Sequence, residues 1–129
     1  MPRYTKKKAD RQEDTTMTLT KTDYRKLEKA GKIYIGEEYT LGTRYLVERF
    51  ETTYTDGTKL DNFYIKAVDP ADRYLPAIYY HDDFFGQKKP RFEIQTTAYG
   101  ALAPEEIQKV IDGYHEALAA VEALTAAFC

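Results

Sequence analysis

Thr43 to Val68 reads TRYLVERFETTYTDGTKLDNFYIKAV, and the Asp56-Gly57 pair near its middle decides the fold class. Two runs rich in β-branched and aromatic residues, Thr43–Thr55 and Thr58–Val68, flank a dipeptide that takes the positive φ angles of a tight turn at little cost. The reading is a β-hairpin. With a two-residue loop, opposed positions sum to 113: Phe50 faces Phe63, Glu48 faces Ile65 and Leu46 faces Ala67 on an apolar side. Arg49 then faces Tyr64 and Val47 faces Lys66 on a solvated one. Glu48 is out of place on the apolar side. Either it lies near an edge and reaches water, or it is buried with a partner and a raised pKa.

Working outward, period two continues. Pro70 and Pro76 bracket an irregular connection, Asp69 to Leu75; a short strand follows at Ala77–Tyr80, then a loop from His81 to Pro90. Arg91–Thr97 alternates, with Phe92, Ile94 and Thr96 on one side. Two successive hairpins predict an antiparallel sheet of about four strands. Upstream, Thr20 and Asp23 fit a helix cap, Tyr24 and Leu27 share a face and Gly31 offers a left-handed stop, which predicts a short N-terminal helix. Downstream, Pro104 suits a first helical position and Glu105 and Glu106 suit the positive end of a helix dipole. Ile107, Val110, Ile111, Tyr114, Leu118, Val121 and Leu124 form an apolar stripe over a helix at 104–127. Gly113 in its middle costs about 1 kcal/mol against Ala, so a close approach to the sheet is the expected reason. The fold class is α+β, with the long C-terminal helix on one sheet face.

At 129 residues the chain suits one domain. Residues 1–18 lack apolar periodicity and read as a flexible basic leader, leaving 19–129 as the folded domain. Charge is unevenly spread. Residues 1–35 hold ten basic and five acidic side chains, +5, and the remainder nine basic and sixteen acidic, -7, for a total of -2. No signal peptide is legible, and the longest apolar run, Ala117 to Val121, is far too short to span a bilayer, so the expected location is cytoplasmic.

Catalytic patterns are missing. There is no serine, no phosphate-binding glycine loop and one cysteine, Cys129, at the last position, where a precise geometry is hard to hold. The acidic pairs Glu37-Glu38, Asp82-Asp83 and Glu105-Glu106 are adjacent in sequence, whereas an acid/base pair flanks its substrate. His81-Asp82-Asp83 has metal-ligand chemistry, but consecutive residues converge poorly on one ion and the only other histidine is His115. A polar turn after a strand accounts for it better. No cofactor is expected, and the chain reads as a binding protein rather than an enzyme.

Twelve Tyr and six Phe, with no Trp, are the compositional anomaly. Sheet packing absorbs about half the tyrosines; the rest suit an interface. Tyr79 and Tyr80 point both ways from one strand, so one ring must lie off the core face. With Asp82, Asp83 and Phe85, and with the basic Lys88, Lys89 and Arg91, they form the most interface-like stretch. Stable duplex binding by an acidic body is disfavoured, although the leader could touch phosphate weakly. An acidic body instead suits a partner with a basic surface, such as a nucleic-acid enzyme.

The stretch Pro90–Gly100, followed by Leu102–Ile107 and the helix, about 40 residues in all, resembles small proteins carried by phages and conjugative elements of Firmicutes. Some of these are anti-CRISPR inhibitors: short, often acidic, and bound to an RNA-guided nuclease so as to block DNA entry. What the resemblance implies is a non-catalytic inhibitor of a nucleic-acid-processing partner such as a CRISPR effector nuclease. The alternative is a nucleic-acid-binding accessory protein that uses the leader and exposed tyrosines. An uncovered sheet face carrying Tyr64 and Val47, or an open strand edge, would favour a homodimer.

Overall fold

A computed structural model describes residues 17–82 and 90–129. Its architecture is α+β, an antiparallel sheet with one helix. The sheet has six strands rather than four: β1 (Leu19–Lys29), β2 (Lys32–Leu41), β3 (Tyr45–Thr53), β4 (Lys59–Ala67), β5 (Ile78–His81) and β6 (Arg91–Ile94). They pair in chain order as a meander. The helix, α1 (Pro104–Phe128), closes the described chain.

The expected N-terminal helix is instead β1. Ala30 and Gly31 both take positive φ, 54° and 79°, which makes a two-residue turn whose twist matches the flanking strands. From that turn β1 pairs with β2 from Lys29↔Lys32 to Leu19↔Leu41, with one bulge between Lys21 and Asp23. Gly31 does supply a left-handed residue, but it serves a hairpin. Ten strand pairings outweigh a helix propensity worth tenths of a kcal/mol per residue. Of the predicted leader 1–18, residues 1–16 lie outside the described residues. Thr18 accepts a hydrogen bond from the Gly42 N–H at 3.0 Å, and Met17 packs against the core.

The β3–β4 hairpin forms where expected, one residue out of the expected register. The loop holds three residues, not two: Gly57 N–H donates to the Tyr54 carbonyl at 2.9 Å and Tyr54 N–H to the Thr58 carbonyl at 2.8 Å, with Gly57 at φ 88°. The extra residue makes opposed positions sum to 112, as in Val47↔Ile65 and Arg49↔Phe63. A one-residue slip exchanges the faces of one strand against its partner. Tyr45 and Val47 therefore enter the core with Phe63, while Leu46, Glu48 and Phe50 join Tyr64 and Lys66 on the far side. Val47 is not on the open face, and Glu48 is not on the core face; its carboxylate meets Lys66 Nζ at 2.8 Å.

The core lies between the sheet and α1. Tyr39, Leu41, Tyr45, Val47, Phe63, Ile78 and Phe92 from the strands meet Ala117, Ala120 and Leu124 from the helix. Bulky rings on the sheet leave room for small residues opposite, so α1 turns its Gly113, Ala117, Ala120 and Leu124 stripe inward. Part of the predicted apolar stripe is rotated outward as a result: Ile107, Ile111 and Leu118 are exposed. Gly113 is indeed a close approach, though to the connection before β5 rather than to the sheet. A Cβ there would collide with the Tyr74 carbonyl. That connection is pinned twice more, by Tyr45 Oη donating to the Pro76 carbonyl at 2.6 Å and by the Arg44 guanidinium forking onto Asp72 at 3.0 and 3.1 Å. At the helix start, Glu106 accepts from the Ala103 N–H at 3.1 Å and from Tyr74 Oη at 2.7 Å.

Candidate functional site

Strand alternation splits the patch expected around Tyr79 and Tyr80. Tyr79 pairs with Tyr64 on the open sheet face, and each ring is 51% exposed. Tyr80 turns into the core, its ring 4.6 Å from Phe63 and 5.1 Å from Phe92, and burial pushes its hydroxyl pKa up to about 12. Arg91 lies on the open face, with Nε 2.6 Å from Glu93, and His81 Nε2 stands 2.8 Å from the same carboxylate. Asp82 is exposed just beyond β5. Asp83, Phe85, Lys88 and Lys89 lie outside the described residues. Among the described residues no group of three or more His, Cys, Asp or Glu is placed to hold a metal ion.

The most constrained charges were not singled out from sequence. Glu37 on β2 is 7% exposed and faces the core. Its Oε1 accepts from Tyr39 Oη and Arg49 Nη1, and its Oε2 from Lys21 Nζ, each at 2.8 Å. Burial alone would raise the pKa of this carboxyl, but the three donors outweigh it and hold it at about 2. Arg49 also meets Asp61 at 3.0 Å and Glu51 at 3.2 Å, and lies over the Phe128 ring at 5.5 Å. Burial raises the Asp61 pKa, against the attraction of Arg49. The network closes the end of the core where α1 stops. Every member has a structural role, and the sequence signal was a Glu at a core-facing position of an alternating strand.

Carboxylates elsewhere on the sheet, and on the connection before β5, are also neutralised in place. Glu38 meets Arg25 at 3.2 Å, Glu48 meets Lys66, and Asp72 meets Arg44 at 2.8 Å. Outside α1 the described residues carry eleven basic and twelve acidic side chains; α1 carries Glu105, Glu106, Asp112, Glu116 and Glu122 against Lys109 alone. The net acid excess of the described residues is thus concentrated on the helix. Glu105, Asp112 and Glu116, at i, i+7 and i+11, fall on one stripe along the flank of the helix. Among the described residues, Glu105, Glu116 and Glu122 have no ion pair. Asp112, Glu116 and Glu122 border an open cleft between α1 and the β2–β3 turn, floored by Met17 and Gly42. The exposed apolar ridge of Ile107, Ile111 and Leu118 runs roughly 140° further round the helix, with Glu122 one turn beyond Leu118 at its border.

Electrostatically, α1 presents a negative flank and, further round its exposed side, apolar groups that can be desolvated. The described helix is not long and apolar enough to cross a membrane. Compared with protein-family models, curated proteins and solved structures, the chain matches none, so the resemblance to mobile-element proteins draws no support from them.

Proposed function

We propose that this chain is a non-catalytic binding protein that docks the outer face of α1 onto a basic surface of a nucleic-acid-processing protein and blocks it. The observation that supports the reading is the segregation of charge. A sheet whose carboxylates are tied to their own cations offers little to a basic partner, whereas the helix holds five acidic side chains against one basic. Spaced along a rigid helix, such charges steer a positive surface into register. The exposed Ile107, Ile111 and Leu118 ridge, bordered by Glu122, supplies the desolvated contact from which affinity comes. In its narrowest form the partner is an RNA-guided nuclease and the blocked event is DNA entry. The accessory-protein alternative places phosphate beside this chain, and the acidic helix repels phosphate.

The test uses a purified RNA-guided nuclease loaded with its guide and measures DNA cleavage against added chain. Stoichiometric inhibition is expected, weakened roughly ten-fold or more by joint Asp112→Lys and Glu116→Lys substitution and by added salt. Inhibition that is unchanged in the double variant would refute the placement on α1. No inhibition of any nucleic-acid enzyme tried, together with tight salt-dependent binding of bare DNA, would favour the accessory protein.

A further inference from the structure

Among the described residues nothing covers the sheet face opposite α1, and the residues of that face form a readable grid. Leu27, Tyr34, Thr52 and Leu60 are cross-strand neighbours in one row; Arg25, Gly36, Phe50 and Asn62 form the next. Glu38, Glu48, Tyr64 and Tyr79 make a third row. Leu27, Tyr34, Leu46, Phe50, Tyr64 and Tyr79 are all large and exposed. We infer that this face binds a second copy of the same chain, making a two-fold symmetric dimer with sheet packed on sheet.

Gly36 carries the argument. It sits in the middle of β2, has no positive φ, and an added Cβ would meet nothing within 4 Å. Nothing among the described residues requires glycine there, and glycine within a strand weakens it. Its use is explained if another molecule approaches the backbone at that point. Phe50 stands directly across from Gly36 on β3, its ring edge-on to Tyr64 at 5.7 Å. A hollow and a knob on adjacent strands are self-complementary. A two-fold axis along the strands, between β2 and β3, sets the Phe50 ring of each copy over Gly36 of the other, across the sheet spacing of about 10 Å. The same operation sets Leu27 of one copy over Leu60 of the other.

Charge and size agree with a like partner. Glu38 and Glu48, near the axis, enter with their own cations, Arg25 at 3.2 Å and Lys66 at 2.8 Å, so the face has no strong sign that would select an opposite one. Four strands about 4.8 Å apart and some ten residues long span roughly 600 Å², and the short β5 and β6 raise this to roughly 700 Å². Standard interfaces bury about 800 Å² per partner, and corrugated side chains expose more than their flat footprint. The edge of β1 is a poorer candidate for self-association, since its bulge and alternating charges are devices that block edge pairing.

The test is light scattering on the full chain up to about 100 μM. A particle of twice 14.9 kDa is expected. Gly36→Gln, whose Cβ meets nothing within 4 Å among the described residues, is expected to return it to one copy with unchanged circular dichroism. A monomeric wild type would overturn the inference, and so would a dimer that survives the substitution. Should Gly36→Gln fail to fold, Tyr64→Lys, on an exposed ring, decides in the same way. The Asp112→Lys and Glu116→Lys chain is expected to remain dimeric, which separates this face from the one proposed on α1.

Discussion

Replacing Glu37 by Gln tests the buried network directly. The native carboxyl, held near 2 against 4.5 when unperturbed, binds its proton far more weakly in the fold than in the unfolded chain. That difference corresponds to about 3 kcal/mol of folding stability at pH 7. The sign follows from the depression: the contribution is complete well above 4.5 and fades as pH falls through 2. The same linkage leaves about half of it at pH 3 and little at pH 2. Glutamine keeps the shape but cannot attract Lys21 and Arg49 as an anion does, so the variant lacks this pH-dependent share. Urea unfolding followed by circular dichroism, at pH 7 and again at pH 3, is the assay. The expected gap between wild type and variant is about 3 kcal/mol at pH 7, shrinking by about half at pH 3. A gap below about 1 kcal/mol at pH 7, or one that does not shrink, would refute the assignment of Glu37 as the anchor.

Two further substitutions probe the seam between α1 and the sheet. Gly113→Ala improves helix propensity by about 1 kcal/mol, yet the new methyl strikes the Tyr74 carbonyl. A net loss of about 1–2 kcal/mol is expected in thermal or urea unfolding, and a stabilised variant would show that the connection yields. Tyr45→Phe removes the donor to the Pro76 carbonyl and leaves a buried acceptor unsatisfied. The expected loss is about 1–3 kcal/mol by urea unfolding, and a neutral result would mean that water reaches that carbonyl.

Two elements were legible because local chemistry dominates them. Pro104, the early acidic pair and a long period near 3.6 specify α1 within a residue of its observed end. Asp56-Gly57 between two alternating runs specifies the β3–β4 hairpin. Where several outcomes differ little locally, neighbours along the chain do not decide the structure. Leu19–Lys29 is almost wholly exposed and has no core face to betray its period, so a weak capping pattern outweighed the Ala30-Gly31 turn. The hairpin register turned on a single loop residue. Of the proposed interface, Tyr79 is on the surface and Tyr80 is in the core, as alternation requires, but which of the two faced outward depended on the register of β5 against β4.

From its sequence alone, this chain determined that it is α+β, that a hairpin turns at Gly57, where it ends in a helix, and that more acid than base lies beyond its N-terminal third. These are properties of neighbours along the chain. Tertiary structure decided which side of each strand is buried, that Glu37 rather than Glu48 is the enclosed carboxylate, and that the sheet neutralises its own charges while the helix does not. The physical reason is that face, partner and screening depend on what lies across a strand or against a helix, and a one-residue change in registration reassigns all three.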